Sequence, residues 1–408
     1  MPWAQSVSAR LLIQAGSRYE NESDSPFSLG LAHYMEHMVF EGSHRHPSRR
    51  DLERAIKSYG GKVSSYTEKE YTMYQAKLPT KHADFATAFV RDLAFNPLMK
   101  PESVIKEKRI ISAEIRKSYD DPSQYRWNLL RKLVWKGHPL EHNPLGTVDS
   151  IQAITRDDLI AYHQRFYRPG NAILVIAGNI THSQALDMAI KDFGDLYTSS
   201  QIEVEVQPLI FTEPSPRVLI VNKKLEETHV LLAFSTLGNG MKSTQLAEIQ
   251  ILARMLRDKV QDTLVYDLAS SYFTACAPWL VSDNGLLVIM AGVDPERTEE
   301  VVETMVREVK ELQVNENSVT DAKNALKSDL IIDLENTDAY AHFIAEQELF
   351  NGIVRSPAQT EKWVDAVTPA TVHSLRKNIV TDETVALVLL GSVSKDKTET
   401  FERKLQFI

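Results

Sequence analysis

One five-residue stretch, His33-Tyr34-Met35-Glu36-His37, carries the residue types most able to do chemistry in this chain. Histidines four apart share one face of a helix and lie close enough to hold a single ion. Glu36 stands beside the second of them. Zinc takes such imidazoles, together with a third protein ligand and a position left open for water or substrate. Two carboxylates further along, Glu107 and Glu114, are seven apart within 103–115, which reads as a continuous helix. Seven residues make nearly two helical turns, so both can face one site at different depths. That arrangement suits one direct ligand and one group that fixes a histidine tautomer or tunes the charge of the site.

The elements that must hold these residues are legible in outline. A strand pattern at 7–15 and a polar connection at 16–26 precede a helical pattern at 28–41, whose large apolar residues are Leu29, Leu31, Met35, Met38, Val39 and Phe40. Strands are also expected at 71–78, 174–178, 286–293 and 387–391, with helices at 81–94 and 296–312. The chain further repeats itself. Leu78 to Ser103 and Val293 to Ser318 are both 25 residues, and from those serines to Gly137 and Gly352 is 34 residues both times. The offset is 215 residues there and 213 between Thr155 and Thr368.

The pattern predicts an α+β chain of two structurally similar domains, each a largely antiparallel sheet flanked by helices. Their expected bounds are 1–200 and 214–408, with a linker at Glu213-Pro214-Ser215-Pro216. The repeat also acts as an internal control. At the same offset Glu107 and Glu114 become Ala322 and Asp329, and the second half has no His-x-x-Glu-His. The chemistry is therefore expected in the first half alone.

Composition narrows the function class. With 408 residues, 43% hydrophobic and 25% charged, the chain reads as an ordinary globular protein of two or more domains. A net charge of -9 without a basic tail argues against a nucleic-acid surface. Its one cysteine, Cys276, excludes an intrachain disulfide and a cysteine-rich metal site. No apolar run is long enough for a membrane span, and no secretory signal is evident at the start. A cytoplasmic location is the expectation, a processed mature chain being compatible with the same sequence.

The motif and its surroundings resemble the inverted zinc-motif peptidases of the pitrilysin and insulin-degrading-enzyme family, M16, in particular the half-length members related to mitochondrial processing peptidase. The family pattern His-x-x-Glu-His, followed about 75 residues later by Glu-x(6)-Glu, is matched by His33, Glu36, His37, Glu107 and Glu114. Flanking stretches also agree, among them Ala15-Gly16-Ser17-Arg18-Tyr19-Glu20 and Gly60-Gly61. The resemblance implies a fold like that of the processing peptidase and zinc held by His33, His37 and Glu114. It also implies that Glu36 is the general base and that Glu107 supports the site.

From the second domain the resemblance implies substrate contacts by Tyr266 and Arg257. These are nine apart where the family has seven, which leaves Lys259 as an alternative cation. Two further departures are the late start, which omits one N-terminal strand, and Ser64-Ser65 where the family has Asn-Ala. The implied activity is hydrolysis of unfolded peptides or presequences, inside a homodimer or a heterodimer with a related half-length chain. The rival expectation is a noncatalytic partner or assembly scaffold that keeps the metal site.

Overall fold

The structure, a computed structural model, describes residues 1–20, 28–196, 217–240 and 243–407. The expected linker at 213–216 lies outside the described residues. In chain order the principal elements of the first half are β1 (Ser6–Ile13), α1 (Leu31–Val39), β2 (Lys62–Thr67), β3 (Thr72–Pro79), α2 (Ala83–Phe95), α3 (Pro101–Asp120), α4 (Pro122–Val134) and β4 (Ala172–Gly178). Those of the second half are β5 (Arg217–Asn222), β6 (Thr228–Thr236), α5 (Ser243–Gln261), β7 (Ser271–Leu280), β8 (Gly285–Val293), α6 (Thr298–Glu311), α7 (Glu316–Asp333), α8 (Thr337–Asn351) and β9 (Val385–Gly391).

Two α+β units result, as the patterning predicts, each built around its own sheet. The first sheet has the order β2-β3-β1-β4 and is antiparallel throughout. The second has the order β5-β9-β6-β8-β7 and is antiparallel except where β5 runs parallel to β9. Antiparallel neighbours need only short connections, whereas the parallel β5–β9 pair needs the long crossover that the intervening elements provide.

Both faces of each sheet are covered, which explains strands that are apolar at successive positions instead of alternating. In the second unit every residue of β6 is buried. Val230, Leu232 and Phe234 join the core of α5 and α6, while Leu231 and Ala233 meet Leu129, Leu130 and Val134 of α4. In the first unit α2 packs on β1 and β3, and α8 packs on β1 and β4. Leu12, Met73, Val175 and Ala177 there contact Ala341 and Ala345.

The helices that cover these faces are exchanged. One compact unit comprises 1–117, 142–207 and 332–354, and the other comprises 118–141, 208–331 and 355–408. Helix α4, encoded in the first half, thus completes the second unit, and α8, encoded in the second half, completes the first. At the 215-residue offset of the sequence repeat α4 corresponds to α8, so the two halves lend the same helix. Each begins with a good cap: Asp121 accepts from Ser123 N ahead of Pro122, and Asn336 accepts from Asp338 N. The polar side of α8 is tied to its sheet by Arg10 Nη1 to His342 Nδ1 at 3.0 Å and Lys77 Nζ to Asp338 Oδ2 at 3.1 Å.

Candidate metal centre

Helix α1 is shorter than the expected 28–41, for a local reason. Gly30 has φ 86 and ψ 5, a left-handed conformation that closes the turn before the helix. A Cβ there would lie 2.7 Å from Leu145 O, and one on Gly146 would lie 2.6 Å from Leu29 O, so two backbone segments touch through paired glycines. The helix then starts without a side-chain cap of its own. Buried Glu20 supplies one from a distance, accepting from Gly30 N at 2.7 Å and Ala32 N at 2.6 Å. Its two oxygens satisfy these free N–H groups, whose pull does not offset the burial that pushes its pKa up to about 8.

At the other side α1 lies against α3, fixed by Tyr34, whose hydroxyl donates to Val104 O. This contact sets the four-residue step of α1 opposite the seven-residue step of α3. His33 Nε2 comes 3.8 Å from Glu114 Oε1, and His37 Nε2 comes 3.5 Å from Glu114 Oε2. The imidazole rings are 4.6 Å apart and roughly edge to face. One donor atom each from His33, His37 and Glu114 lies within 4.8 Å of the others. Donors about 2.0–2.2 Å from a tetrahedral zinc stand roughly 3.3–3.6 Å apart, so a small inward adjustment would close this set on the ion.

The other acidic residue of α3 takes a different part. Glu107 Oε2 is 2.8 Å from His37 Nδ1, which leaves His37 Nε2 to face Glu114. Glu107 is fully buried, and Arg49 and Lys106 each approach its second oxygen to 3.6 Å. The two histidines are consequently unlike. Burial, aided by the neighbouring His37, lowers His33 to about 4. Burial also opposes charge on His37, but hydrogen bonds to Glu107 and Glu114 outweigh it and hold that histidine at about 9. Glu114 stays below the usual carboxylate range, chiefly through its hydrogen bond to His37.

Glu36 stays outside this donor set and contacts β2. Its Oε1 accepts from Ser65 Oγ at 2.7 Å and its Oε2 from Thr67 Oγ1 at 2.6 Å. Burial raises its pKa, and the two hydroxyls oppose that rise. The remaining expected site residues, Arg257 and Tyr266, belong to the other unit. Arg257 pairs with adjacent Asp258 at 3.4 Å, and Tyr266 is 68% exposed and accepts from Gln261 Nε2. Tyr266 sits on a π-helical turn, Asp262–Asp267, that continues α5. Sequence reasoning missed Glu20, Tyr34, Ser65 and Thr67. The available signal was the two-residue step from Ser65 to Thr67, which puts both hydroxyls on one side of a strand.

Residues 1–148 match the family described as Insulinase (Peptidase family M16), and residues 153–326 match the Peptidase M16 inactive domain. The chain has an M16-family fold of two M16 domains. Among sequences, this chain is 27% identical to the uncharacterized zinc protease YmxG of Bacillus subtilis, over 96% of its own length and 94% of that protein. It is 26% identical to the mitochondrial-processing peptidase subunit beta of Lentinula edodes, over 96% and 86%. In structure it resembles a protease from Helicobacter pylori with a TM-score of 0.84 at 19% identity, covering 95% and 94% of the two chains. No helix among the described residues is long and apolar enough to cross a membrane.

Proposed function

We propose that this chain is a zinc-dependent endopeptidase acting on unfolded peptides or presequences, with His33, His37 and Glu114 as metal ligands and Glu36 as general base. The observation that carries this reading is the separate placement of Glu36. It adjoins a ligand histidine, stays out of the donor set, and is held by two hydroxyls instead. A purely structural zinc site has no use for a third carboxylic group so arranged.

Zinc, when bound, supplies Lewis acidity that polarises a peptide carbonyl and makes water easier to deprotonate. The chain does the rest. Glu36 accepts the proton of the attacking water and returns it to the departing amine. Its raised pKa suits the role, since a carboxylate whose pKa lies closer to the working pH takes up a proton more readily and can still return it. Glu107 fixes the His37 tautomer. At the sheet edge β2 pairs, among the described residues, only with β3, leaving its outer backbone groups able to align an extended peptide. Tyr266 and Arg257 would contact substrate from the second domain, an assignment supported by the π-helical turn under Tyr266, since such turns often mark functional positions. A second half-length chain, identical or related, would complete the substrate enclosure; mass in solution distinguishes a homodimer from a need for another partner.

The test compares zinc content and cleavage of a mixed peptide library for wild type and Glu36→Gln. Zinc in both and cleavage only by wild type is the expected result. Zinc in both and cleavage by neither, alone or with related half-length chains, replaces the endopeptidase with a metal-bearing scaffold.

A further inference from the structure

The geometry points to Ser65 as a positioning residue for Glu36, an inference that rests on the endopeptidase reading above. A glutamate side chain has three rotatable torsions, the last of them broad, so a carboxylate held by one donor can still pivot about that contact. Here each oxygen has its own donor: Ser65 Oγ at 2.7 Å and Thr67 Oγ1 at 2.6 Å. Both donors stand on β2, two residues apart and hence on the same side of the strand. They converge on one carboxylate and fix the orientation of its plane. Each carboxylate oxygen has two acceptor directions, so one hydroxyl per oxygen leaves a direction free on each for the proton of water.

Ser65 lies opposite Tyr74 in the β2–β3 ladder, where the backbone and not the hydroxyl makes the pairing. Its contribution is thus separable from the fold of the strand, which alanine also permits. The same β2 that offers its edge to a peptide fixes Glu36 through its side chains, so substrate alignment and base alignment share one element. A general base works only within hydrogen-bond reach of its proton, and a small misplacement costs up to about a hundredfold in rate.

Ser65→Ala tests this, with Ser65→Thr as the variant that restores the hydroxyl. In Ser65→Ala, kcat should fall about tenfold or more while KM and zinc affinity, measured by chelator competition, stay at wild-type values; Ser65→Thr should recover most of the loss. Independently of turnover, a crystal structure of metal-free Ser65→Ala should show the Glu36 carboxylate rotated or spread over more than one orientation. A wild-type kcat in Ser65→Ala, or an unmoved Glu36 in its structure, overturns the role. Parallel losses of kcat, zinc affinity and thermal stability would also overturn it, making Ser65 a scaffold residue. Failure of the wild type to cleave any peptide refutes the endopeptidase reading instead, and the orientation of Glu36 in the Ser65→Ala crystal then decides by itself whether Ser65 positions that carboxylate.

Discussion

The difference between the two histidines predicts a pH dependence for zinc binding at the proposed site. Zinc binds neutral imidazole, and in the metal-free chain His33 is neutral above about 4 whereas His37 keeps its proton up to about 9. Binding near neutrality must therefore expel about one proton, and it comes from His37. Apparent zinc affinity should rise roughly tenfold per pH unit from about 5 to about 9 and level off above that. Calorimetry in buffers of different ionisation enthalpy checks the proton count. Replacing Glu107 with Gln weakens the tautomer lock, so zinc affinity should drop about 10–100-fold above pH 9, and the deficit should shrink toward neutral pH because the charge that sustains the competing His37 proton is also gone. The expected pH slope also becomes shallower. These residues were legible in the sequence because periods of four and seven project onto one helical face whatever surrounds them. The hydroxyls on Glu36 were not, since their contact depends on how β2 meets α1, and that distance is set by packing instead of by a local period.

At the scale of the element, α1 is positioned at its first turn as firmly as at its ligands. Gly30 combines a left-handed φ of 86 with backbone contact on its open side, where Leu145 O leaves no room for a Cβ. Gly30→Ala should cost about 2 kcal/mol or more, through strain and steric conflict together. Chemical denaturation of the metal-free protein measures it, and zinc retention should decline in parallel because His33 lies three residues further on. Glu20→Ala should act in the same direction by leaving two helix N–H groups unpaired, at about 1–2 kcal/mol. The sequence located this helix by its apolar residues yet extended it to 28–41, because hydrophobic pattern does not register where the backbone turns left-handed. Nor could it disclose Glu20 as a cap, for the carboxylate is ten residues from the first N–H it accepts.

For the whole molecule the exchange of α4 and α8 decides which fragments can stand alone. A fragment of residues 1–213 contains all four strands of the first sheet and every expected metal ligand, yet it lacks α8. Its uncovered face would present Leu12, Met73, Val175 and the buried Arg10 to water. Such a fragment should be soluble poorly or not at all and should bind zinc weakly, while coexpression with residues 214–408 should recover both properties; exposure of hydrophobic surface and zinc stoichiometry are the readouts. Division into two α+β sheets was legible from the repeat and the strand patterns. The exchange was not, because two equivalent helices carry the same periodicity whether each covers its own sheet or the other one.

That exchange also orders events in time. As the chain leaves the ribosome, β1 to β4 and the candidate metal ligands emerge early, but the helix that seals their sheet ends only at Asn351. Domains usually complete in the order of their synthesis. In this chain the first unit must wait for most of the second to be made, so a site written in the first 114 residues becomes durable only when translation is nearly over.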